Sequence, residues 1–479
     1  MTTKNSRRSF ARRFALPALF AAGLAAAPSV RAANYIWDPS GNRSDAAGSG
    51  TWDTTTPIWD NGAADVAWNN AGANNATFNG ADGTYALTVA NGINAVNVTF
   101  NASGYTLAGA SAASPGTLNT PLSNGFLLVA NGKTLTIGAN MNVFGYGYVN
   151  TTAGYTGGTI NIASGGVLTP GTFATLGGNY NVGAGGTFGN TGASYIMSGA
   201  TVSVNGAGAQ FIVRGMSMTN TTFTLTQGTF NAGGGSGTSL NNSTLNLNGG
   251  TFVAGYVPSS TANSTINFNG TLVQNTIYGG FIGGSNQAAR FVVQAGGAKF
   301  DLYTSMTLSQ PLQHDAAGAA IDGGLFKVGN GLNNNLTLSA ANTYNGGTTV
   351  ANGTLVAAVN GALGTGDVSV LATSVSLSIS TGVTNPFNNV LGRLSLAGGG
   401  TAGTADVGYL DLTSGANILV GSLTLGGTTY TSGVFSRANF PEYFSGTGIV
   451  TVVPEPGSLT LVAASLLLAG GVLRRVRRN

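Results

Sequence analysis

Six short segments of this chain align on one another at a nearly constant interval. GTINIASGGVL from Gly158, GNYNVGAGGTF from Gly178, ATVSVNGAGAQF from Ala200, TTFTLTQGTF from Thr221, STLNLNGGTF from Ser243 and STINFNGTL from Ser264 share an apolar-polar-apolar core. Their first inward positions, Ile160, Tyr180, Val202, Phe223, Leu245 and Ile266, are spaced by 20, 22, 21, 22 and 21 residues. Alternate side chains of a strand share one face, so each segment carries one apolar and one polar face. A unit this small cannot bury its apolar face alone, and stacking the units does so. The spacing therefore predicts an all-β fold, a β-solenoid whose coils rise roughly 4.8 Å each, giving a rod of roughly 50–70 Å for ten to fifteen coils. Asn and Thr on the polar face are expected to form ladders along the stack. Gly and Asn supply the positive φ angles of the corners. A β-sandwich is the alternative, because two of its usual intervals of about 8–12 residues also make such a repeat.

Composition agrees with one long repetitive body. Gly is 77 of 479 residues, charged residues are 7 % and hydrophobic residues 42 %. Disordered chains show the opposite balance, many charges and little apolar material. The formal charge of +4 is misleading. Lys4, Arg7, Arg8, Arg12, Arg13 and Arg31 lie at one end and Arg474, Arg475, Arg477 and Arg478 at the other. Between them, with Glu455 counted with the C-terminal tail, eight bases face thirteen acids, a net charge of −5, so there is no basic stripe for nucleic acid. The chain has no cysteine, which removes disulfides, thiolate metal sites and cysteine nucleophiles.

Residues 1–32 have the pattern of a signal peptide: a basic start, an apolar run from Phe14 to Ala27, and small residues at Val30 and Ala32 flanking Arg31. Cleavage by signal peptidase is expected after Ala32. Ser6-Arg7-Arg8-Ser9-Phe10 resembles a twin-arginine export motif, and general secretion is the open alternative. At the other end the apolar run Leu459 to Leu473 would make a helix of roughly 22 Å, short for a bilayer core of about 30 Å. The arginines after it can snorkel to the headgroups and place the C-terminus on the cytoplasmic side.

Pro454-Glu455-Pro456, then this apolar run, then Arg474, Arg475, Arg477 and Arg478, resemble the PEP-CTERM sorting signal. The resemblance implies recognition by an exosortase, removal of the tail and transfer to the cell surface or matrix. A plain single-pass membrane anchor is the alternative. A second resemblance lies at Asp322 to Val370. Asn342 to Thr349 reads NTYNGGTT, followed by NGTL at Asn352 and GALG at Gly361, and the stretch is similar to the autotransporter-associated β-strand repeat. YTGGTINIASGGVL from Tyr155 echoes it. That family implies a right-handed parallel β-helix outside the cell. Where an autotransporter continues into an outer-membrane barrel, this sequence continues into the PEP tail, which puts self-translocation in doubt.

The expected organisation is a signal peptide at 1–32, a tryptophan-containing β region and cap at 33–125, and solenoid repeats at 126–321. The autotransporter-like repeat follows at 322–370, a closing β region at 371–453, and the sorting signal with its transmembrane helix at 454–479. Trp37, Trp52, Trp59 and Trp68 are all the tryptophans of the chain. They are candidate glycan contacts, or else the cap that covers the open first coil.

Little points to catalysis. There is no Asp or Glu between Gly83 and Phe300, whereas solenoid enzymes acting on polysaccharides need clustered carboxylates for Ca²⁺ or for acid and base roles. The later acids, Asp301, Asp315, Asp322, Asp367, Asp406, Asp411 and Glu442, are scattered. His314 is the only histidine and reads as a surface residue in a polar loop after Pro311. Gly233-Gly234-Gly235 lacks the strand and helix that a phosphate loop needs. No metal and no cofactor is expected. The expected function is a non-enzymatic, structural or adhesive protein of the cell surface or extracellular matrix, with exopolysaccharide as a candidate partner. The alternative is a polysaccharide-binding or polysaccharide-degrading β-helix that uses the tryptophans or the acids after Asp301.

Overall fold

The computed structural model describes residues 33–453 apart from 44–46, 153–154, 234–236, 255–262, 276–287, 330–333, 372–374, 389–391, 398–402 and 404–408. The expected signal peptide with Ala32 and the sorting signal with Pro454, Glu455, Pro456, Arg474, Arg475, Arg477 and Arg478 lie outside the described residues. Among the described residues there are strands and turns but no helix.

The aligned segments stack as their spacing predicts. Ile160, Tyr180, Val202, Phe223, Leu245 and Ile266 occupy consecutive parallel strands in direct register, and all are buried. Parallel pairing at one-coil intervals rules out the sandwich. A typical coil runs from Thr159–Ile162 through Gly166–Thr169 and Ala174–Leu176 and returns at Asn179–Val182. These strands belong to three long sheets of 12, 16 and 11 strands, which wrap a parallel β-helix of about 13 turns. Thirteen coils at roughly 4.8 Å make a rod of about 60 Å.

The interior is a set of registered columns. In the 16-stranded sheet Leu168, Phe188, Phe211, Phe230, Phe252 and Val273 lie one above another. Phe188 and Phe211 stack with ring centroids 4.4 Å apart, and Phe230 and Phe252 at 4.7 Å. Offset aromatic pairs add about 0.5–1.5 kcal/mol each to what their burial contributes. Further along, Phe300, Lys327 and Val350 continue this column, so a lysine takes an inward position in an apolar stack.

Corners and outer faces follow from short polar residues. Gly165 and Gly185 take positive φ, 72° and 65°, at the same corner of successive coils, and the Gly165 amide donates to the Gly185 carbonyl at 3.1 Å. Asn220 and Asn242 take left-handed angles at another corner, where Asn242 Nδ2 donates to Asn220 Oδ1 at 2.7 Å. The expected ladders are present: Asn181 Nδ2 donates to Asn161 Oδ1 at 2.9 Å, and Asn267 Nδ2 to Asn246 Oδ1 at 2.7 Å.

Pairing runs on across residues 125, 321 and 370, since Phe126 pairs with Asn97, Leu325 with Ala298, and Leu377 with both Leu355 and Leu410. The cross-section does change. The 11-stranded sheet ends at Gly237–Asn241 and the 12-stranded sheet at Leu312–His314, while a six-stranded sheet begins at Met306–Leu308. Antiparallel strands close both ends: Trp59–Asp60 on Asn34–Trp37, and Thr428–Tyr430 on Ser422–Leu425. They occupy edges that would otherwise offer unpaired backbone groups.

Candidate functional site

The four tryptophans are not a glycan-stacking surface, which corrects that candidate assignment of Trp37, Trp52, Trp59 and Trp68. Each is at most 1 % exposed. Trp59 lies 4.8 Å from Trp68, 4.9 Å from Trp52 and 5.1 Å from Trp37, measured between ring centroids, and the group rests on Phe78. Among the described residues no coil lies beneath the first one, so its open apolar end must be covered, and the indoles are consumed in doing so. The capping alternative accounts for all four.

Asp406 lies outside the described residues, and the other later acids take part in structural hydrogen bonds. Asp301 accepts from Gln274 Nε2 at 2.8 Å and Asp315 from Gln294 Nε2 at 2.9 Å. Asp411 accepts from Ser378 Oγ at 3.0 Å and Ser445 Oγ at 3.1 Å. Among the described residues no three carboxylates or imidazoles are grouped to hold a metal ion. His314 is not in a loop; it ends the strand Leu312–His314, and its Nδ1 lies 2.9 Å from Asp322 Oδ2. Asp322 also accepts amides from Gly324, Asn345 and Gly346. Among the described residues no side-chain hydroxyl bonds the His314 ring.

A concave feature with varied chemistry lies on the outer face of the 11-stranded sheet. One outward row there starts with Asn34, Asn75 and Asn97, joined by side-chain hydrogen bonds of 2.8 Å in which each Nδ2 donates to the Oδ1 of the preceding coil. It continues in register through Phe126, Tyr148, Thr175, Ile196, Ser217 and Ser239. Beside it run Ser194, Gly215 and Gly237, where two glycines leave the row without side chains. The result is a shallow groove of about 420 Å³, lined among others by Phe173, Ser194, Ile196, Arg214, Ser217 and Ser239.

Two lining residues break the pattern of the rest of the rod. Phe173 is 70 % exposed and has φ of 64°, a left-handed angle in a residue with a bulky side chain. That conformation costs about 1–2 kcal/mol in a non-glycine residue, and strain of this kind concentrates where a side chain is displayed for use. The Phe173 amide is tied to the Ser194 carbonyl at 2.7 Å, which holds the turn in place. Arg214 is exposed, and it is the only charged residue between Lys133 and Arg290. Among the described residues it has no ion-pair partner.

The sequence carried a signal for both. Phe173 follows Pro170-Gly171 in a turn, where glycine or asparagine serves elsewhere, and Arg214 is isolated in a span without acids. Their meeting was not legible, because they lie on different coils.

Comparison with family models, with curated proteins and with solved structures found no match for this chain.

Proposed function

We propose that this chain is an exported structural or adhesive rod of the cell surface or extracellular matrix, without enzymatic activity. In this reading a signal peptide is removed after Ala32, and an exosortase acts on the tail carrying Pro454-Glu455-Pro456 and Arg474, Arg475, Arg477 and Arg478. The membrane is a partner only before that step, and the winding is right-handed, as in the family that Asn342 to Thr349 resemble. The observation that supports it is the unbroken column from Leu168 to Val273, surrounded by outer rows of uncharged Asn, Thr and Ser. Such a body is a spacer with a displayed surface.

Mass spectrometry of the protein extracted from intact cell surfaces tests this. The expected N-terminus is Ala33, and peptides beyond Pro456 are expected to be missing. Recovery of an intact Arg478-Asn479 end from surface material would sink the processing step. Recovery of the protein only from the cytosol would sink the whole reading.

The groove on the outer face favours one variant of this reading, a rod that binds polysaccharide. Its exposed aromatic ring, hydroxyl groups and single cation suit a sugar polymer better than they suit a reaction.

A further inference from the structure

We propose that the groove beside Phe173 binds a uronic-acid polysaccharide laid along the rod axis. It spans four coils, marked by Phe173, Ser194, Gly215 and Gly237, or about 14 Å at roughly 4.8 Å per coil. One coil rise is about the length of one sugar ring, so a linear polymer running along the axis meets equivalent rows ring after ring.

Three kinds of contact argue for this occupant. The exposed face of Phe173 offers the apolar CH side of a pyranose a flat aromatic partner. The hydroxyls of Ser194, Ser217 and Ser239, in the rows along the groove floor, match the alternating donors and acceptors of sugar hydroxyls. Arg214 supplies a planar fork for a carboxylate.

Charge complementarity selects the anionic class of polymer. From Gly83 to Phe300 the chain has no acidic residue, so nothing nearby repels a polyanion and nothing competes for Arg214. A neutral polysaccharide would leave that cation unpaired. A merely acidic peptide would leave Phe173 and the serine rows unused or poorly matched. The rest of the body, with its excess of acids, would also repel a polyanion that strayed from the groove.

This assignment rests on the surface-rod reading only in that the rod must meet the polymer outside the cell. Binding by the purified protein can fail while the surface location holds, and the location can fail while binding holds.

The test is affinity electrophoresis and calorimetry of the full-length protein with polygalacturonate and alginate. Fully methyl-esterified polygalacturonate, dextran and polyglutamate serve as controls. Retention by one or both uronate polymers is expected, with weak or no retention by the controls. Arg214→Gln should weaken binding about tenfold and abolish most of its salt dependence. Phe173→Gly and Phe173→Asn should each weaken it about tenfold without lowering the unfolding midpoint, since both residues accept the same backbone angle more readily than Phe.

Several outcomes would overturn the proposal. They are no retention on either uronate polymer, equal retention on polyglutamate or on the esterified polymer, and binding unchanged in the Phe173 and Arg214 variants. A fall in the unfolding midpoint of both Phe173 variants would overturn it as well, by making that ring structural.

Discussion

Asp322 and Asn345 hold each other across one coil: the Asp322 amide donates to Asn345 Oδ1 at 2.8 Å, and the Asn345 amide donates to Asp322 Oδ2 at 2.9 Å. The Asp322 carboxylate also takes the amides of Gly324 at 2.9 Å and Gly346 at 2.8 Å, and its side chain is 1 % exposed. Asp322→Ala leaves the buried Gly324 N–H and the partly buried bonds from Asn345 and Gly346 without their acceptor, which costs roughly 1–3 kcal/mol. In a solenoid the damage should stay with the neighbouring coils. Hydrogen exchange should therefore accelerate at Gly324, Asn345 and Gly346 while the amides of Tyr180 and Val202 remain protected. Loss of protection along the whole rod would contradict this picture.

Lys327 stands in the apolar column between Phe300 and Val350, fully buried, with Nζ donating to the Val328 carbonyl at 3.0 Å. Burial holds its pKa below the ordinary value of 10.5, and the charge of Asp301 opposes that shift in part. The unfolded chain thus binds this proton more tightly than the folded one. Stability should rise with pH from the lowered folded-state value up to 10.5 and gain nothing more from this group above that. Lys327→Met should remove this slope and, at neutral pH, stabilise the protein by about 1 kcal/mol or more. Denaturant titrations of both proteins at several pH values measure the two effects together, and an unaltered slope would show that the buried amine is not its source.

Asp411 behaves in the opposite sense. Burial raises its pKa, but hydrogen bonds from Thr413, Ser378 and Ser445 outweigh that and leave it below 3.8. Its contribution is therefore complete above the usual carboxylate range and is lost as pH falls through the lowered value. Acid should loosen the coils that contain Ser378, Asp411 and Ser445, which are neighbours in register. Asp411→Asn should flatten the stability profile below about pH 4, as followed by exchange or proteolysis at the C-terminal end.

The tryptophan cap makes a spectroscopic prediction. All four indoles are buried, so emission should be blue-shifted and iodide should quench it little until the N-terminal coil opens. Trp37 Nε1 donates to the Gly48 carbonyl at 2.9 Å, whereas Trp52 and Trp59 Nε1 are buried with no acceptor among the described residues. Replacement by Phe should accordingly be costlier at Trp37 than at Trp52 or Trp59, by about 1 kcal/mol. Equal costs at the three positions would mean that volume alone governs the cap.

Much of this architecture was legible without coordinates. The spacing of Ile160, Tyr180, Val202, Phe223, Leu245 and Ile266 identified the residues that share one inward column, and their alternation with Asn and Thr identified the outer ladder. The tryptophans were legible as a cap in one of two ways, and exposure decided between them. The strand position of His314 was not legible, because a lone histidine after proline carries no periodic signal and its partner Asp322 lies in another part of the coil.

The sequence by itself therefore determined the coil: side-chain alternation is local, with a period of two residues, and a repeat of about 21 residues puts like positions in register whatever lies between. Only the tertiary structure decided which outer residues meet. The Asp322–Asn345 clasp, the inward turn of Lys327 and the groove joining Phe173 to Arg214 all link residues more than 20 positions apart. Their juxtaposition depends on how each corner turns, and that is set by a few left-handed backbone angles such as those of Gly165, Asn220 and Phe173, which shift one face against the next without changing the repeat.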